Sequence, residues 1–275
     1  MKIFNKISGI KDYLVNTNKK INFVPTMGNL HQGHLNLVTE ALEPTKITVV
    51  SIFVNDLQFG PNEDLATYPR TLENDLSLLE ALGVDVVFCP NSQEMFPNGA
   101  DTHTYIKTPK ISELHCGNSR PIFFQGICTV VTKLFNIIKP HTAFFGEKDW
   151  QQYIIIKKLC EDLHINVNIK AVPITREANG LAMSSRNNYL NYEQKEMAAL
   201  LRKNLVLLKN SYLQGKYKEQ LSQSKENLKK HGFSIDYISM IDENTLLTAA
   251  KKCENTRILA AVYFDKIRLI DNIAI

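Results

Sequence analysis

A chain of 275 residues, 44% hydrophobic and 22% charged, is long enough for one large domain or two ordinary ones, and its composition excludes disorder. Its 32 basic and 28 acidic residues leave a formal charge of +4, too balanced to imply a nucleic-acid partner. Cys89, Cys116, Cys128, Cys160 and Cys253 form no CxxC pair, which argues against a disulfide framework or structural zinc and for core thiols in a reducing compartment. The N-terminus has no long apolar core followed by a small-residue cleavage site, so no signal peptide is expected. The longest apolar runs, such as YIII, are far short of a membrane span. A cytoplasmic protein is expected.

In chain order, residues 21–24 (INFV) read as a strand stopped by Pro25. Residues 34–42 have helical apolar spacing. "KITVVSIFV", 46–54, is the near-continuous run of a parallel strand covered on both faces. The polar stretch to Arg70 is a long loop, followed by a helix over 71–82 and a short strand over 84–88. "PNGADTHTYIK" reads as a turn and a strand-like segment. A helix is predicted over 126–140, closed by its proline, then a strand TAFFG ending at Gly146. Asp149 offers an N-cap for a helix to about Leu163, and 165–172 is the next strand. This alternation predicts a right-handed α/β domain with a mainly parallel sheet. Residues 193–230 are helical in pattern, and 234–240, 257–264 and IRLIDNI are strand candidates. The expected division is therefore a catalytic domain over 1–186 and a smaller α+β domain over 187–275.

Four polar clusters follow predicted strands: PTMGNLHQGH, NDLQF, GEKDWQQ and MSSRN. In a parallel sheet the C-terminal strand ends share one edge, where ligands bind beside a topological switch point. In the first cluster, Gly28 and Gly33 permit a tight turn, and free amides at the helix start favour an anion. His31 and His34 could donate to phosphoryl oxygens as charge builds there, or His31 could simply cap the helix. Lys148 would suit a β- or γ-phosphate, and Asp149 a helix cap or a ribose hydroxyl. Gln58 and Gln152 could grip a hydroxyl and a carboxylate without adding charge. Ser184, Ser185 and Arg186 are phosphate donors or a capped helix start beside a surface arginine. No GxSxG, GxxxxGK[ST] or GxGxxG pattern occurs, so a nucleophile elbow, a P-loop and the usual dinucleotide fingerprint are all missing.

The first cluster resembles the HIGH-type motif of the nucleotidyl-transferring α/β superfamily. Together, "FVPTMGNLHQGHLNLV", "VVSIFVNDLQF", "DLATYPRTLENDL", "FPNG", "KLFNIIKP", "FGEKDWQQ" and "LAMSSRN" resemble the pantothenate synthetase (pantoate–β-alanine ligase) family in order and spacing. The resemblance implies a Rossmann-like domain followed by a smaller α+β C-terminal cover domain. It implies ATP- and Mg²⁺-dependent condensation of pantoate with β-alanine through a pantoyl-adenylate, by a homodimer. On matched positions, His31 and His34 would meet the ATP phosphates, with Gly28 and Met183 beside the nucleotide. Lys148, Ser184, Ser185 and Arg186 would hold the triphosphate, and Gly146 and Asp149 would lie beside the ribose. Gln58 and Gln152 would hold pantoate, with Met27 and Asn55 alongside, and Asp75 matches an acidic position linked to magnesium. One stretch departs: where many relatives have GHFRGV, this chain has IFFQGI, with Phe123 and Gln125 at the His and Arg positions. Retained activity is expected, because the other clusters are complete. The main rival is another HIGH-motif nucleotidyltransferase. A phosphorylated acceptor would favour cations where Gln58 and Gln152 stand.

Overall fold

The computed structural model describes every residue except 62, 64 and 250–254, which include Cys253. Two compact units emerge. The first comprises Met1–Glu113, Arg120–Glu147 and Gln152–Val172; the second comprises Leu114–Ser119, Lys148–Gln151 and Pro173–Ile275.

The first unit is a six-stranded, all-parallel sheet of β1 (Lys2–Phe4), β2 (Lys20–Thr26), β3 (Lys46–Ile52), β4 (Val86–Phe88), β5 (Thr142–Gly146) and β6 (Asn168–Val172). The strand order is β1-β4-β3-β2-β5-β6. The chain winds outward from β2 in one direction and then resumes at β5 on the other side. The order therefore reverses between β2 and β5, the place where doubly wound sheets open a crevice at their strand ends. Thr26 and Gly146 are the strand ends that flank it.

Alternate residues of the central strands feed two cores. On one face Val24, Val50 and Val87 pack with Val38 and Ala41 of α2 (Gln32–Ala41) and Leu79 of α3 (Leu72–Ala81). On the other, Phe23 meets Phe135 edge-on, with ring centroids 6.2 Å apart. Phe135 belongs to a sixteen-residue helix, Phe123–Ile138, which begins before the predicted Gly126 and is buried over most of its surface. The elements that went unpredicted include β1, α1 (Ile7–Val15) and the short helices Ser92–Met95 and Cys116–Ser119. Residues 97–107 form turns and extended chain, not the predicted strand.

The second unit holds an antiparallel sheet of β7 (Phe233–Asp242), β8 (Thr256–Phe264) and β9 (Ile267–Ala274) in that order. Leu201, Leu205 and Leu208 recur at helical spacing on one stripe of the helix Leu200–Leu213. They pack with Ile258, Ala260 and Val262, which recur at strand spacing on β8. Residues 173–186, expected with the first domain, belong here. An isolated bridge between Arg176 and Ala182 reverses the chain after β6, Leu181 enters the second core, and Arg176 pairs with Asp271 of β9. Among the described residues no helix is long and apolar enough to cross a membrane.

Candidate functional site

Beyond β2 the chain turns through Gly28 and Asn29, both left-handed, with φ of +80° and +50°. Gly28 is constrained in space as well as in torsion. A Cβ there would lie 3.0 Å from Asp75 Oδ2 and 3.1 Å from Ile52 Cγ2. Asp75 sits in the first turn of α3 and is 1% exposed. One carboxylate oxygen accepts the Asn29 N–H at 2.9 Å and the other the Leu30 N–H at 2.8 Å. The Thr71 hydroxyl donates across both at 3.2 Å. These charge-assisted bonds clamp the turn that delivers the histidines. Sequence matching linked Asp75 to magnesium; here both of its oxygens serve backbone donors in a buried site. Among the described residues no group of three or more His, Cys, Asp or Glu side chains could hold a metal ion.

His31 is the N-cap of α2, and its side chain accepts from the Gly33 N–H at 3.1 Å through Nδ1. His34 Nδ1 accepts from the His31 N–H at 3.3 Å, completing a reciprocal capping box. A ring nitrogen that accepts carries no proton, so each neutral imidazole bears its hydrogen on Nε2. The rings lie 4.1 Å apart and 32° from parallel. The structure shows the capping role for both rings. The cap at Nδ1 selects the tautomer that makes Nε2 a donor.

Beyond β3 a 3₁₀ turn, Asp56–Gln58, is capped by Asn55, which is 3% exposed. Asn55 Oδ1 accepts the Leu57 N–H, while Nδ2 donates to Gln58 Oε1 at 3.0 Å and to the Gly126 carbonyl at 3.2 Å. Gln58 Nε2 in turn donates to Met27 Sδ at 3.0 Å. The loops after β2 and β3 thus meet through the Met27–Gln58 contact. Gly126 makes this approach possible: a Cβ on it would stand 2.4 Å from the Leu57 carbonyl oxygen and 2.7 Å from Gln58 N. Sequence reasoning did not single out this glycine, although a glycine inside an apolar helix was a usable signal. Arg120 was also missed. It forks onto Glu63 through Nε at 2.6 Å and Nη2 at 2.5 Å, and Nη2 donates to the Gln58 carbonyl at 3.3 Å. Its guanidinium lies 3.5 Å from the ring centroid of Phe123, one of the two departing positions.

Beyond β5, Gly146 ends the strand and a 3₁₀ turn over Glu147–Asp149 leads into a helix over Trp150–Asp162, so Asp149 closes the turn. Half-buried Gln152 belongs to the first unit, with Met27, Gly28, His31, His34, Asn55, Gln58 and Gly146. Lys148, Asp149, Met183, Ser184, Ser185 and Arg186 belong to the second. There Ser184 caps a 3₁₀ turn over Ser185–Tyr189 and accepts the Arg186 N–H at 3.3 Å. Met183 N–H donates to the Thr175 carbonyl at 3.0 Å, and buried Asn187 donates to Glu177 at 2.7 Å and to the Ala182 carbonyl at 3.1 Å. MSSRN therefore rests on the 175–182 turn and not directly on the end of a parallel strand.

Burial pushes the thiols of Cys89, Cys128 and Cys160 up to about 11, so they are protonated and inert near neutrality. What these residues offer is hydrogen-bond donors and fixed positive charge, the equipment of electrostatic stabilisation.

A family model described as pantoate-beta-alanine ligase matches residues 2–274. The pantothenate synthetase of Alteromonas mediterranea is 45% identical over 281 residues, covering 100% of this chain and 99% of its own. The crystal structure of pantothenate synthetase from Thermus thermophilus superposes with a TM-score of 0.94 at 39% identity and 99% coverage of both chains. The pantoate-beta-alanine ligase of Francisella tularensis, complexed with beta-gamma ATP and beta-alanine, gives 0.83 at 36% identity, covering 100% of this chain and 97% of that one.

Proposed function

The chain belongs to the pantoate-beta-alanine ligase family, and from that premise we propose how its residues divide the work of the ATP-dependent reaction that forms pantothenate. Joining a carboxylate to an amine in water needs an activated carboxyl group. The pantoate carboxylate attacks the α-phosphorus of ATP, and pyrophosphate leaves. The β-alanine amine then attacks the acyl carbon of pantoyl-adenylate, loses a proton, and expels AMP. No step needs a covalent nucleophile from the protein. Each needs positioning, charge neutralisation and exclusion of water.

In this reading His31 and His34 donate from Nε2 to phosphoryl oxygens, stabilising charge that grows in the transition state. The observation that carries it is the paired Nδ1 cap, which makes donors of both rings. Gln58, oriented by Asn55 and Met27, and Gln152 hold the hydroxyl and carboxylate of pantoate. Lys148, Ser184, Ser185 and Arg186 neutralise the triphosphate and the departing pyrophosphate. Gly28, Gly146, Asp149 and Met183 flank the nucleotide. Magnesium, when bound, would supply further positive charge to the ATP phosphates; among the described residues no group of three or more His, Cys, Asp or Glu side chains could hold it. A homodimer working in the cytoplasm completes the proposal.

The test is pyrophosphate release from Mg-ATP with pantoate, with and without β-alanine, while AMP and pantothenate are followed. Release that requires pantoate, with pantothenate appearing only when β-alanine is added, supports both half-reactions. Release supported instead by a phosphorylated acceptor would overturn the roles given to Gln58 and Gln152.

A further inference from the structure

Lys148 is a long, flexible side chain whose charge can be aimed only as well as its backbone is held. We propose that Asn272 is the positioning residue for Lys148, acting through a hydrogen bond to its main chain; this rests on the reading that Lys148 meets phosphate. The segment Lys148–Gln151 belongs to the second unit although the residues on either side of it belong to the first. Asn272, on β9 and 2% exposed, uses both ends of its amide. Nδ2 donates to the Lys148 carbonyl at 3.1 Å, and Oδ1 accepts from Arg257 Nη1 at 2.5 Å. Arg257, on β8 and 6% exposed, also donates from Nε to Glu243 Oε1 at 2.8 Å. Its guanidinium lies 3.7 Å from the ring centroid of Trp150. The Trp150 Nε1–H donates to the Glu243 carbonyl at 3.1 Å, so Trp150 is gripped from two directions. The chain is thus held at Lys148 and again two residues later, by groups on β8, on β9 and just after β7.

Packing alone does not call for this arrangement. Burying a guanidinium is costly unless every donor is matched, and an apolar staple would hold the turn as firmly. What a hydrogen bond to the carbonyl adds is direction. It fixes the peptide plane, and with it the vector along which the lysine leaves the backbone.

The experiment is a double-mutant cycle on the pantoate-dependent adenylation rate, with wild type, Asn272→Ala, Lys148→Ala and the double variant. Asn272→Ala is expected to slow adenylation roughly 10- to 100-fold, the cost of misplacing a charged group by about an ångström, with KM for pantoate unchanged. In the Lys148→Ala background the same substitution should cost nothing more, because its effect runs through the lysine. Additive losses would overturn the proposal and leave Asn272 a packing residue. Full rates in Lys148→Ala would overturn it too, and would separately remove Lys148 from the phosphate role. Should Asn272→Ala melt, Asn272→Asp carries the test. It keeps the Arg257 partner but turns an acceptor toward the Lys148 carbonyl, so it should fold and still lose rate. An Asn272→Asp enzyme that folds and retains the wild-type rate would also overturn the proposal.

Discussion

Replacing Gly126 by alanine separates helix propensity from local geometry. In an unconstrained helix interior the change stabilises by about 1 kcal/mol. Here the new methyl would sit 2.4 Å from the Leu57 carbonyl oxygen, 2.5 Å from its carbon and 2.7 Å from Gln58 N. All three are backbone atoms, so no flexible side chain can yield. Ordinary heavy-atom contacts begin near about 3.5 Å, so helix and turn must part by roughly 1 Å. Overpacking of this kind costs about 1–3 kcal/mol, enough to reverse the propensity gain. The parting also strains the 3.2 Å bond from Asn55 to the Gly126 carbonyl, and Asn55 is the residue that orients Gln58. With Gln58 holding pantoate as proposed, a displacement of that size costs about a hundredfold. Gly126→Ala should therefore lower the melting temperature and raise KM for pantoate or lower kcat in the pyrophosphate-release assay. A variant with a raised melting temperature and wild-type pantoate kinetics would refute the close-approach argument.

Asp75→Asn leaves one amide acceptor for two backbone donors and turns an NH₂ group toward the other. The loss should be about 2–3 kcal/mol of stability, with slower adenylation and an unchanged dependence on magnesium concentration. A selective fall in apparent magnesium affinity would mark Asp75 as a metal ligand instead. His115 is held below its usual pKa mainly by burial, which a hydrogen bond to the Leu246 carbonyl only partly offsets. The unfolded chain then binds the proton more readily, so stability falls as pH drops below about 6.5. His115→Gln should flatten that slope in melts recorded between neutral and acidic pH, and an unaltered slope would remove His115 as its source. Phe123→His restores the ring type of many relatives while keeping a flat surface beneath Arg120. It should change kcat/KM for ATP by less than about fivefold, since a ring stays beneath Arg120 and the difference between two such contacts is worth about 1 kcal/mol or less. A tenfold gain would show that the departure at 122–127 had weakened nucleotide binding.

The parallel strands β2, β3 and β5 and the polar clusters that follow them were readable from the sequence, whereas MSSRN rests on the 175–182 turn. KITVVSIFV could only be a strand covered on both faces, and a polar cluster after such a strand has few other places to go. The misses have local causes. β1 is three residues long and lies at the edge of the sheet beside β4, and the helix Ile7–Val15 has no side-chain N-cap. Over 97–107 the Tyr105 hydroxyl bonds back to the Ala100 carbonyl, where a strand partner was expected. A deeper limit concerns residues whose partners are main-chain atoms. Asp75, Gly126 and Asn272 all act on backbone: two amides, a carbonyl oxygen approached too closely for a methyl, and the carbonyl of Lys148. Every residue has a main-chain amide and carbonyl, so such a contact leaves no mark on the residue it serves. A buried carboxylate aimed at two N–H groups and one aimed at a cation are the same letter. Only the fold distinguishes them, and in this chain it assigns Asp75 to the turn that carries the histidines.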